Sequence, residues 1–148
     1  MTLRIVLAVA AVTLGVVAVA VAAQSDPIPA RKALMKANGD QAKIGSAMVK
    51  GDAPFDLAKA QTIFVTFVDA ANKMPNLFPE NSKTGGETAA TPKVWEEPAD
   101  FKARFAKLAG DSKAAGEMVK DLATFKEAFA VVAKNCGGCH ELYRVKKS

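Results

Sequence analysis

The sequence predicts an all-α chain folded as an antiparallel four-helix bundle. Four segments repeat apolar residues at helical spacing. No segment alternates with the period of two that a half-buried strand needs. The connections between the four segments run short, long, short, which sets sequence neighbours antiparallel.

Residues 1–23 stand apart from the bundle. Arg4 precedes a run from Ile5 to Ala23 that only Thr13 and Gly15 interrupt, and it ends Val21-Ala22-Ala23 before Gln24-Ser25-Asp26-Pro27. Small residues at the last and third-last positions read as a secretory signal peptide cleaved after Ala23, leaving 24–148 as one domain. The run is also long enough to cross a bilayer, so an uncleaved N-terminal membrane anchor is the rival reading. Either way the rest of the chain is expected outside the cytoplasm.

Asp26-Pro27 opens the first helix, an N-cap followed by a residue tolerated at the first helical position. The helix is expected to run to Val49-Lys50, where Gly51 stops it. Ile28, Arg31, Met35, Ala42, Ser46 and Val49 share one stripe, flanked by Gly39 and Gly45. That stripe is small and flat, suited to a rigid planar ligand or to close helix–helix packing. A second helix follows from about Asp56 to Lys73, with Leu57, Ala60, Phe64, Phe67, Val68 and Ala71 as its core face. Met74 to Pro98 holds four prolines and Gly85-Gly86 and reads as a long loop, with Trp95 plugging the end of the core. Pro98-Ala99-Asp100 introduces a third helix carrying Phe101, Phe105 and Leu108, fading near Ala115-Gly116. The last helix is expected from about Asp121 to Val145. Its stripe is Leu122, Phe125, Phe129, Val132, Cys136, His140 and Tyr143.

That last stripe contains the chemistry. Cys136-Gly137-Gly138-Cys139-His140 holds both cysteines and the only histidine of the chain. The pattern C-x-x-C-H reads as a site for one covalently attached haem c: each thiol bonds a vinyl carbon and the histidine takes the iron as proximal ligand. On a helix the three side chains share one face. A zinc site is unattractive, because no further Cys or His completes an ordinary set. A thioredoxin-like dithiol needs a βαβ setting that the pattern lacks. A plain disulfide leaves His140 unexplained. Export suits the haem reading, since its thiols are handled outside the reducing cytoplasm.

The other axial side of the iron has to be supplied from upstream, because only eight residues follow His140. Methionine is the natural candidate, and Met35, Met48, Met74 and Met118 are available. Met35 lies on the flat stripe, Met48 well off it, and the other two at helix edges or loops; gap-filling in the core is the competing role for each. Charge adds little. Without residues 1–23 one basic residue fewer than the chain's 20 faces 15 acidic ones, which gives no case for nucleic acid. Arg144-Val145-Lys146-Lys147 either steers an acidic redox partner or complements the end of the last helix.

The C-terminal C-x-x-C-H followed by Tyr143-Arg144 and lysines resembles the class II c-type cytochromes, the cytochrome c′ family. So do Arg31-Lys32-Ala33-Leu34-Met35-Lys36-Ala37-Asn38-Gly39, Val49-Lys50-Gly51-Asp52-Ala53-Pro54-Phe55-Asp56 and Lys93-Val94-Trp95. The resemblance covers nearly all of 24–148. It implies that Arg31 lies near the haem, within reach of a propionate. In the high-spin members the position matching Met35 is usually a bulky apolar residue and the iron is five-coordinate. In the low-spin, cytochrome c-556 branch it is an iron-bound methionine, which is the branch this chain looks like. The resemblance therefore implies a periplasmic carrier of single electrons, not an enzyme, with iron held by His140 and Met35. Its partners are then redox proteins of the periplasm or of an inner-membrane respiratory or photosynthetic chain. The alternative is a five-coordinate protein that binds nitric oxide or carbon monoxide. The family includes monomers and homodimers.

Overall fold

The computed structural model describes residues 26–146, so the signal-peptide reading of 1–23 lies outside the described residues. Helix α1 spans Pro27–Lys50 and α2 spans Leu57–Lys73; a single helical turn, α3, covers Lys93–Glu96; α4 spans Pro98–Met118 and α5 Leu122–Tyr143. The four long helices form the bundle: α2 packs most extensively on α4, α4 on α5, and α1 on both α2 and α5. Among the described residues no helix is long and apolar enough to cross a membrane.

Local chemistry fixes the boundaries. The Asp26 carboxylate accepts from the Ile28 amide at 2.9 Å, satisfying one of the amides that a helix start leaves without a partner. Gly51 ends α1 at φ 85°, a left-handed conformation that glycine adopts freely. Asp56 caps α2 through the Lys59 amide at 3.0 Å. Asp121 and Thr124 cap α5 reciprocally, the Thr124 amide donating to Asp121 Oδ1 at 2.8 Å and the Asp121 amide to Thr124 Oγ1 at 3.1 Å.

Several boundaries and faces differ from expectation. Helix α4 continues past Gly116 to Met118, because Ala115 is buried and Gly116 brings the helix against Phe64. Helix α5 stops at Tyr143, two residues early, where its last carbonyls bond to the long loop instead. On α2 the buried row is Ala60, Ile63, Phe64, Phe67, Ala70 and Ala71; Leu57 is exposed and Val68 only half-buried. Met48 lies in the core, because α1 turns its C-terminal half inward at Gly45, where a side chain would overlap the Phe129 ring.

The interior has two unlike halves. One end is filled by aromatic rings: Phe125 sits 5.8 Å from Phe55, 5.9 Å from Phe64 and 5.3 Å from Phe129. Met48, Ile63 and Val132 complete it. The other end is hollow. There Phe78, Phe101, Phe105 and Tyr143 pack edge to face at 4.8–5.1 Å and wall a cavity. Trp95 is half-buried on this cluster, its indole donating to the Phe78 carbonyl at 3.0 Å.

Candidate functional site

Cavity position follows from the helical periods. On α5, Cys136, Cys139 and His140 fall on the inward face and are half-buried. Gly137 faces open space and Gly138 points toward Arg104. On α1, Arg31, Met35, Asn38, Gly39 and Ala42 fall at intervals of three and four and form the facing wall. Phe67, Phe105 and Leu108, from α2 and α4, close the remaining sides. The cavity volume is about 400 Å³, within the usual range of cofactor pockets, roughly 300–1,000 Å³.

Electrostatics at the α5 wall favour uncharged ligands. Burial pushes both thiols up, opposed at Cys139 by the charge of Arg104. Burial, and then the charge of Arg144, holds His140 below its ordinary value, so the imidazole is neutral and able to donate a nitrogen lone pair. The cysteines are not joined in a disulfide. Arg104 braces this wall: its Nη1 donates to the Gly138 carbonyl at 3.2 Å and its Nε to Asp100 at 2.6 Å. Tyr143 donates its hydroxyl hydrogen to Asp100 at 2.5 Å, and Glu97 stands 3.3 Å away. Burial and that bond push the Tyr143 phenol up to about 12.

Two features of the α1 wall bear on what the cavity could hold. Arg31 is only 5% exposed, yet it makes no ion pair with a carboxylate among the described residues. Its guanidinium stacks 4.5 Å from the Phe78 ring centroid. The Asn38 side-chain oxygen is buried with no hydrogen-bond partner. The Asn38 oxygen only accepts and so asks for a donor, whereas a planar apolar group bearing two carboxylates answers Arg31 and the shape of the cavity. Such a group would fill the hollow, supply negative charge near Arg31, and meet two thiols and an imidazole on one wall.

A family model described as Cytochrome C' matches residues 26–144. The chain belongs to the cytochrome c′ family. It is 47% identical over 126 residues to cytochrome c′ of Rhodopseudomonas palustris, covering 85% of this chain and 86% of that protein. Cytochrome c-556 of the same organism is 34% identical over 132 residues, covering 86% and 89%. A solved structure of R. palustris cytochrome c′ superposes with a TM-score of 0.82 at 46% identity, over 84% of this chain and 100% of that one. Cytochromes of this family carry one covalent haem c, and Cys136-Gly137-Gly138-Cys139-His140 is the attachment motif for it here.

Of the residues singled out from the sequence, Arg31, Met35, Cys136, Cys139 and His140 all line this one cavity. Each terminal nitrogen of Arg31, however, already makes two bonds to the long loop. Its Nε–H is the donor left for a propionate. Met48 and Met118 do not line the cavity, but Met74 does, 3% exposed. The sequence offered Met74 as a candidate but set it at a helix edge or loop, and it did not single out Asn38 or Arg104. Asn38 was findable, since it stands three residues after Met35 on the same helical face.

Proposed function

We propose that this chain is an exported, periplasmic carrier of single electrons whose haem iron is held by His140 and Met35. The observation that carries the proposal is the placement of Met35 on α1 in the same apolar cavity that His140 lines from α5. When bound, the haem supplies a one-electron couple, and a thioether ligand opposite an imidazole favours the ferrous state. Cys136 and Cys139 hold the group to α5, and the neutral imidazole of His140 gives the proximal nitrogen. Phe67, Phe101, Phe105 and Leu108 keep water from the iron's surroundings. Met35 and His140 would both hold the group from packed helices, so a change of its charge would need little movement of the protein. Residues 1–23 would direct export and then be removed, and redox proteins of the periplasm or the adjoining membrane would exchange the electron.

A second reading has its own support: the 47% identical relative bears the name cytochrome c′, whereas the c-556 relative stands at 34%. On that reading Met35 packs over the iron without bonding it, and the sixth position binds carbon monoxide or nitric oxide.

The optical spectrum of the purified holoprotein separates the two. Low-spin bands with a methionine-to-iron charge-transfer band are expected, and a high-spin spectrum with rapid carbon monoxide binding would establish the second reading instead. Met35→Ala is expected to give a high-spin haem that binds carbon monoxide, and Met74→Leu to leave the spectrum unchanged. The reverse pattern would make Met74 the ligand.

A further inference from the structure

The segment from Ser82 to Thr91 joins the helix that carries Met35 to the helix that carries His140. At its first end it is gripped by Arg31, one helical turn before Met35. Arg31 Nη1 donates to the Leu77 carbonyl and to Ser82 Oγ, each at 3.0 Å, and Nη2 donates to the Ser82 carbonyl at 3.0 Å and to Thr88 Oγ1. At its second end it closes over α5. The Thr91 amide donates to the Tyr143 carbonyl at 3.1 Å and the Thr91 hydroxyl to the Leu142 carbonyl at 2.9 Å. The Val145 amide donates back to the Ala89 carbonyl at 2.8 Å. Those α5 carbonyls belong to the last turn, where a helix leaves its acceptors without internal partners.

Thr88 is where the two ends meet. Its hydroxyl oxygen accepts from Arg31 and also from the Ala90 amide at 3.2 Å. Hydrogen bonds and the short stretch of backbone from Thr88 to Thr91 therefore link Arg31, one turn before Met35, to carbonyls within a turn of His140. The segment also forms cavity wall, through Thr88, Ala89 and Ala90. The close packing of α1 on α5 at Gly45 and Phe129 lies at the other, filled end of the bundle. At the hollow end this strap does the equivalent work.

We propose that the strap sets the separation of Met35 and His140, with Thr88 as the positioning residue that keeps the Met35 sulfur on the iron. The proposal rests on the reading of Met35 as sixth ligand. Without the Thr88 hydroxyl, one N–H of a buried cation loses its acceptor, and such a donor does not stay unpaired. Arg31 then turns to another acceptor and carries its stretch of α1 with it, which loosens the bond from Met35.

The test is carbon monoxide binding to the ferrous holoprotein of wild type, Thr88→Val, Thr88→Ser and Thr91→Val, followed by stopped-flow absorbance beside the methionine-to-iron band. Thr88→Val is expected to weaken that band and to speed carbon monoxide binding about tenfold, the scale of one hydrogen bond to a charged group. Thr88→Ser keeps the oxygen and should restore wild-type behaviour. Thr91→Val removes one of the three bonds at the other end of the strap and should act in the same direction, which covers the case in which Thr88→Val does not fold. If wild type is low-spin and both valine variants keep its band and its rate, the strap has no such role, even if their melting temperatures fall. If wild type is itself high-spin, Met35 is not the ligand and the proposal falls with that assignment.

Discussion

Gly45 is the sharpest place to test the packing that positions the cavity. A methyl group there would overlap the Phe129 ring, whereas one at Gly110, in the middle of α4, would meet nothing. Both glycines are helical and neither has a positive φ. Replacing either by alanine gains helix propensity, about 1 kcal/mol in an exposed helix interior. At Gly110 that gain stands alone, so Gly110→Ala is expected to stabilise by about 1 kcal/mol. At Gly45 it is opposed by overpacking, about 1–3 kcal/mol, because Phe129 is held between α1 and Phe125. Gly45→Ala is therefore expected to end up to about 2 kcal/mol less stable than wild type, with the two variants about 1–3 kcal/mol apart. Thermal unfolding of the holoproteins by circular dichroism reads this as melting temperatures that differ by several degrees, about 2–8 °C per kcal/mol for chains of this size. Equal stabilisation by the two substitutions would refute the close approach of α1 to α5, and with it the account of how the bundle narrows next to the cavity.

Ser112 is fully buried in α4, and its hydroxyl has no partner among the described residues. Ser112→Ala removes a desolvated polar atom and should raise stability by about 1 kcal/mol in urea unfolding; a loss of that size would mean the hydroxyl is bonded. Tyr143→Phe keeps the ring against Phe101 at 5.1 Å and removes the bond to Asp100. The phenol pushed up to about 12 contributes stability that is full below its ordinary value near 10 and is lost as pH rises through 12. Wild type should thus exceed the phenylalanine variant at neutral pH and converge on it between pH 10 and 12. A difference that stays constant across that range would break the link to the hydroxyl.

The helix boundaries were legible because their signals are local. Asp26-Pro27, Gly51, Asp56 and Asp121 each act within four residues of where they stand. The cavity's α5 wall was legible for the same reason, since three reactive side chains one turn apart have one common face. What stayed hidden depends on neighbours. On α2 the apolar residues at 63, 64, 67 and 68 make a stripe wider than one contact face, and only the position of α4 decides that Ile63 is buried and Val68 half-exposed. Met74 looked peripheral because it follows the end of α2, yet a 3₁₀ turn folds it inward. The order in the long loop rests on Arg31, 51 residues from Ser82 and 57 from Thr88 in sequence, a partnership that no local pattern encodes.

The two halves of the interior show where the fold depends on its cofactor. The filled end has one polar group without a partner, Ser112, and aromatic rings in contact throughout. The other end has an apolar-walled cavity, a buried Arg31 guanidinium that makes no ion pair among the described residues, and an Asn38 amide oxygen that meets no donor among them. A single flat, apolar, dianionic group would fill the cavity and supply charge for Arg31, and the thiols that would tether it lie on the same wall. Natural sequences break the rules of burial chiefly where a function requires it. Apart from Ser112, the breaches here lie at the one cavity that Met35 and His140 both line, which is where the family's haem would be held.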